Sequence, residues 1–115
     1  MGTAQQLIGV FVAGGLGACL RVGLAALIDD RQPRIPLGTL VVNLLGCLAI
    51  GLAATLLVRA PWRNIVMGGL LGGFTTYSSF ALVSWELLRA DRLGATVLLV
   101  AAHVIGNMLA ITLGV

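Results

Sequence analysis

Gly68-Gly69-Leu70-Leu71-Gly72-Gly73-Phe74-Thr75-Thr76-Tyr77-Ser78-Ser79-Phe80 is the stretch whose reading decides the fold. It opens as glycine-rich apolar sequence and turns within a few residues into hydroxyls and aromatics. Paired glycines and paired threonines are poor occupants of a helix interior, the first through backbone entropy and the second through β-branching. Blocks suited to hydrocarbon flank the stretch on both sides. A helix that breaks there frees carbonyls and amides where water does not reach. The expectation is a spanning segment broken near its middle, with the freed groups put to use.

The composition around this stretch names the solvent. Of 115 residues, 59% are hydrophobic and 10% charged, against roughly 25% charged in an ordinary soluble domain. The mean hydropathy is +1.08. So short a chain cannot bury that much apolar surface in a core of its own, so lipid is expected to cover it. The net charge of +3 comes from scattered arginines with no lysine, which argues against nucleic-acid binding. Cys19 and Cys47 form no CxxC pair and read as small packing residues.

Four apolar blocks occupy about 4–28, 36–58, 64–88 and 93–114. Each is close to the ~20 residues a helix needs to cross a bilayer. The connectors, 29–35, 59–63 and 89–92, leave no room for a soluble domain. The reading is a single all-α transmembrane domain over 1–115, with four helices and both termini on one side. Leu16-Gly17-Ala18-Cys19 resembles a lipoprotein cleavage site, but no basic residue precedes the apolar run and it continues to Ile28, so it reads as a retained span. Arg59 and Arg63 fall on the side of the termini, and Arg31, Arg34, Arg89 and Arg92 on the other. That weak bias favours termini outside and is compatible with insertion both ways round. Gly9, Gly14, Gly15 and Gly17, then Gly38, Gly46 and Gly51, then Gly94, Gly106 and Gly114 suit close helix packing, within the chain and against another subunit.

Polar groups inside the spans mark candidate sites. Thr39 and Asn43 share a face of the second span. Asn43 reads either as an interhelical hydrogen-bonding group or as an ion contact. In the third span Tyr77, Phe80 and Ser84 share a face, with Thr76 and Ser79 beside them. In the fourth span His103 and Asn107 are four residues apart, His103 reading as a neutral histidine hydrogen-bonded to a neighbouring helix. Arg21, inside the first span, suits snorkelling, capping a carbonyl or attracting an anion. Glu86 lies near the end of the third span, and the other spans have no interior carboxylate. Amides, hydroxyls, one guanidinium and ring edges, which carry partial positive charge, favour an anion over a cation. No nucleophile–base arrangement suggests an enzyme.

Three motifs then carry a resemblance. Gly14-Gly15-Leu16-Gly17-Ala18-Cys19-Leu20-Arg21 resembles the glycine-rich first-span signature ending in GAxxR of the Fluc (CrcB) fluoride channels. Pro36-Leu37-Gly38-Thr39-Leu40-Val41-Val42-Asn43-Leu44-Leu45-Gly46 resembles their PxGTLxxNxxG pattern, and Gly72-Gly73-Phe74-Thr75-Thr76-Tyr77-Ser78-Ser79-Phe80 their GGxTTFSTF. The order, spacing and length agree over the whole chain. The resemblance implies a passive fluoride channel of the plasma (inner) membrane that sheds cytoplasmic fluoride and protects against its toxicity. It implies an antiparallel, dual-topology homodimer, or a heterodimer with a paired homologue. It also implies a structural sodium ion, Na+, at the dimer centre, held by the main-chain carbonyls of Gly72 and Thr75. By motif position the pore aromatics map to Tyr77 and Phe80, the pore amide to Asn43 and the first-span arginine to Arg21. The polar track maps to Thr39, Ser79 and Asn107.

The departures are Tyr77 where phenylalanine is usual, Val83 where the motif carries glutamate, and His103 and Asn107 in place of smaller polar residues. Two other readings stand beside the channel. A small multidrug-resistance-type proton-coupled transporter has the same length and span count but needs a membrane carboxylate that the first span lacks. A non-conducting membrane subunit explains the glycines but not the Thr-Thr-Tyr-Ser-Ser cluster.

Overall fold

The computed structural model describes residues 1–31 and 36–115. Arg34, one of the loop arginines counted for orientation, lies outside the described residues. Helix α1 covers Thr3–Asp29 and α2 covers Gly38–Leu56. A π-helix over Ile65–Leu71 runs directly into one α-helical turn, α3, at Gly72–Phe74. Helices α4, Tyr77–Arg89, and α5, Leu93–Gly114, complete the chain. Among the described residues there is no strand.

Four stretches are long and apolar enough to cross a membrane: Thr3–Asp29, Gly38–Leu56, Ile65–Arg89 and Leu93–Gly114. They agree with the hydropathy blocks to within about two residues at each end. The 22-residue α5 rises about 33 Å at 1.5 Å per residue, close to the ~30 Å of bilayer hydrocarbon. The protein is a multi-pass membrane protein.

Packing divides the bundle into two tight pairs, α2 against α5 and α1 against the π-helix with α3, while α4 leans on α5. The apolar core is thin, formed by Val42, Ala53, Leu87 and Leu99, whereas Phe11 and Leu113 are 82% and 80% exposed. Large side chains outside and small ones inside are what lipid solvent selects, since apolar burial between helices brings little there. Close backbone approach takes its place. A Cβ at Gly17 would collide with the Leu70 carbonyl oxygen, and one at Gly73 with that of Gly14.

Local chemistry fixes the ends. The Asp29 carboxylate accepts from the Gly38 N–H at 2.7 Å, tying the end of α1 to the start of α2, where a negative charge suits the helix dipole. The turn into α5 has Asp91 at φ 56°, a left-handed conformation that aspartate tolerates better than most residues. The π-helix was not legible in the sequence. It takes in Gly68 and Gly69, and Gly69 lies with its missing Cβ 3.1 Å from the Val10 backbone.

Candidate functional site

The site is built around Thr75 and Thr76. Both residues leave helical geometry, at φ −92°, ψ 157° and φ −151°, ψ 125°, and α4 begins at Tyr77. Thr76 caps that helix, its Oγ1 accepting from the Ser79 N–H at 3.2 Å as an N-cap threonine does. It also donates to Ser79 Oγ at 3.3 Å. Thr75 holds the end of the preceding turn, its N–H and its Oγ1 each donating to the Leu71 carbonyl at 3.0 Å.

Two distant side chains deal with the backbone groups this geometry frees. Asn43, buried on α2, donates from Nδ2 to the Thr76 carbonyl at 2.8 Å and accepts the Thr76 N–H on Oδ1 at 2.8 Å. In an uninterrupted helix that N–H would go to the Gly72 carbonyl. Arg21 donates from Nε to the Gly73 carbonyl at 3.1 Å, so of the three uses open to it the contact seen is the carbonyl cap. Among the described residues no side chain donates to the carbonyls of Gly72 or Thr75.

On the other side of Asn43 lies an open cleft of about 640 Å³ between α2, α4 and α5. Asn43, Gly72, Thr75, Tyr77, Phe80 and Asn107, all singled out from the sequence, line it, together with Thr76, Cys47 and His103. Thr39, Ser79 and Arg21 are not among its lining residues; Thr39 stands one turn before Asn43 on α2, and Ser79 is engaged by Thr76. Among the described residues the lining contains no carboxylate. The Phe80 ring meets Tyr77 edge-on at 5.6 Å and 69°, and lies 4.1 Å from the His103 imidazole at 32°. Tyr77 is 79% exposed.

His103 is 2% exposed, with Nδ1 3.1 Å from the Leu99 carbonyl of its own helix. The partner is therefore the preceding turn, not the neighbouring helix expected from the sequence. Nε2 of His103 and Oδ1 of Asn107 are both buried, with no hydrogen-bond partner among the described residues. Sequence reasoning noted Thr76 and His103 as polar span residues but did not assign them to the pore. A threonine immediately before the first residue of a helical pattern is an N-cap signal and points to Thr76. The ring contact that brings His103 to Phe80 has no local signature.

Comparison with known proteins bears on this geometry. The family model described as "CrcB-like protein, Camphor Resistance (CrcB)" matches residues 8–115. The "Fluoride-specific ion channel FluC" of Pseudomonas paraeruginosa (strain DSM 24068 / PA7) is 36% identical over 115 residues, covering 96% of this chain and 91% of that one. The protein of the same name from Escherichia coli O1:K1 / APEC matches with the same identity and coverage. That of Chloroflexus aurantiacus (strain ATCC 29366 / DSM 635 / J-10-fl) is 35% identical over 117 residues, covering 96% and 93%.

Proposed function

The chain belongs to the CrcB family, and on that premise we propose that it is a fluoride-selective passive channel, not an enzyme. It releases cytoplasmic fluoride across the plasma (inner) membrane and so protects the cell against fluoride toxicity. The relatives' name supplies the ion. The observation that carries the reading is the cleft itself, which offers amide, hydroxyl and ring-edge donors without a carboxylate. Fluoride surrenders a strong hydration shell on entering a pore, and the donors that replace it must not hold it too tightly to leave. Asn43 has two amide protons. One is committed to Thr76, and the second serves the ion. The edges of Phe80 and Tyr77 contribute partial positive charge. Thr39, Ser79 and Arg21 act further along the path or by supporting it.

The cleft has a wall on one side, and the strongly exposed Tyr77 borders it. A second copy inserted in the opposite orientation completes the pore, giving an antiparallel dual-topology homodimer; a paired homologue is the alternative partner. The third spanning segment is then a broken helix whose Thr75–Thr76 interruption lies near the membrane centre. The residues present also fit a structural sodium ion. Arg21 and Asn43 take the Gly73 and Thr76 carbonyls, while the Gly72 and Thr75 carbonyls have no side-chain donor and are the two that would hold the ion. Carbonyl oxygens are ligands suited to a hard cation. Bound there, sodium would satisfy the lone pairs of those carbonyls at the subunit interface.

Fluoride efflux from proteoliposomes, compared with chloride, is the test. The purified chain is expected to pass fluoride and not chloride. Absence of fluoride flux from the chain alone and from the chain with a paired homologue overturns the proposal.

A further inference from the structure

Helix α5 carries a histidine that the channel reading does not use. His103 Nδ1 lies 3.1 Å from the Leu99 carbonyl, and a carbonyl only accepts, so Nδ1 carries the proton. In the neutral imidazole Nε2 is then an acceptor. That Nε2 is buried without a partner, and so is the amide oxygen of Asn107 one turn further on. Among the described residues, these two acceptors lie unpaired on one helix face, at a spacing where side chains meet. A proton added at Nε2 turns that nitrogen into a charged donor, which Asn107 Oδ1 can accept. The Phe80 ring, 4.1 Å from the imidazole, offers its face to the resulting cation.

We propose that His103, with Asn107 as its acceptor and Phe80 stacked on it, is a proton-binding site whose charge draws the anion into the cleft. The inference rests on the channel reading for the identity of the anion. The chemistry is a proton association at Nε2 and nothing more: no bond to fluoride forms, and the imidazolium attracts it electrostatically. The helices packed against α5 are α2 and α4. Their titratable side chains lining the cleft are Cys47 and Tyr77. Glu86 and Arg89 of α4 are exposed and outside the lining, and α5 holds no other ionisable side chain. His103 carries the one imidazole of the chain, and it lines the cleft beside Phe80.

The test measures fluoride efflux from proteoliposomes between about pH 8 and about pH 5.5, with the leak of protein-free vesicles subtracted. Wild-type flux is expected to rise roughly three- to tenfold on acidification, as a focused positive charge raises local anion concentration, and His103→Gln to give a flat profile. Imidazole NMR of the wild type keeps the test independent of the variant's folding, because the chain has one histidine and its signals are unambiguous. By linkage, fluoride should move that titration midpoint upward and chloride at equal ionic strength should not. Flux that ignores pH, with a midpoint that ignores fluoride, overturns the proposal and leaves the channel reading intact. A fluoride-linked midpoint without flux at any pH supports the site and sinks the channel reading. Absence of both overturns the two together.

Discussion

Asn43 holds both backbone groups of Thr76, donating to its carbonyl and accepting from its N–H at 2.8 Å each, across 33 residues of sequence. One side chain thereby replaces the hydrogen bonds a continuous helix would have made at that point. An amide suits this task because it presents a donor and an acceptor side by side.

Asn43→Asp keeps the acceptor and loses the donor, leaving the Thr76 carbonyl unpaired against a carboxylate. We expect fluoride flux to be abolished and stability to fall by about 1–3 kcal/mol, the range for an unsatisfied buried polar group. Asn43→Leu removes both partners and should cost more. Thermal unfolding in detergent, read beside proteoliposome flux, checks both. Unaltered melting of the aspartate variant would show that the brace is dispensable.

Phe80→Ile removes the ring that contacts both Tyr77 and His103 while preserving an apolar side chain. The protein should remain monodisperse. Fluoride efflux should fall by about tenfold or more, equivalent to roughly 1.4 kcal/mol of barrier. Normal flux from this variant removes Phe80 from the pore.

Gly17→Val and Gly73→Val test the packing of α1 on the third segment, since even a Cβ at either position meets opposing backbone. Overpacking of this kind costs about 1–3 kcal/mol, and backbone has little freedom to yield. The recovered monodisperse fraction should drop sharply. Gly94→Ala, where a Cβ meets open space, should express as well as wild type.

If the Gly72 and Thr75 carbonyls hold sodium, replacing Na+ by an organic cation should lower the melting temperature, by mass action on the folded state. Because the ligands are main-chain atoms, Thr75→Ala should retain the sodium response even while losing the hydroxyl bond to Leu71. A melting temperature indifferent to sodium argues against the ion.

Much of the architecture was legible because lipid imposes a simple code. The four hydropathy blocks became four membrane-length helices, and the paired glycines and threonines flagged Gly68 to Thr76 as irregular. The motif residues Asn43, Tyr77, Phe80 and Asn107 do meet at one cleft. What stayed hidden was how each polar group is used. Arg21 reads as an anion attractor, a snorkelling cation or a carbonyl cap until the Gly73 carbonyl is placed beside it. His103 reads as reaching another helix, yet it bonds its own.

The sequence by itself determined the solvent, the number of membrane-length helices and the family. Hydropathy and backbone propensity are properties of adjacent residues and need no partner to be read. Only the tertiary structure decided that Asn43 serves Thr76, that Arg21 serves Gly73, and that two buried acceptors on α5 share a face beside Phe80. Those facts depend on the rotation and closeness of helices that pack backbone against backbone through glycines. A difference of one residue in rotation would exchange the partners without altering the hydropathy pattern.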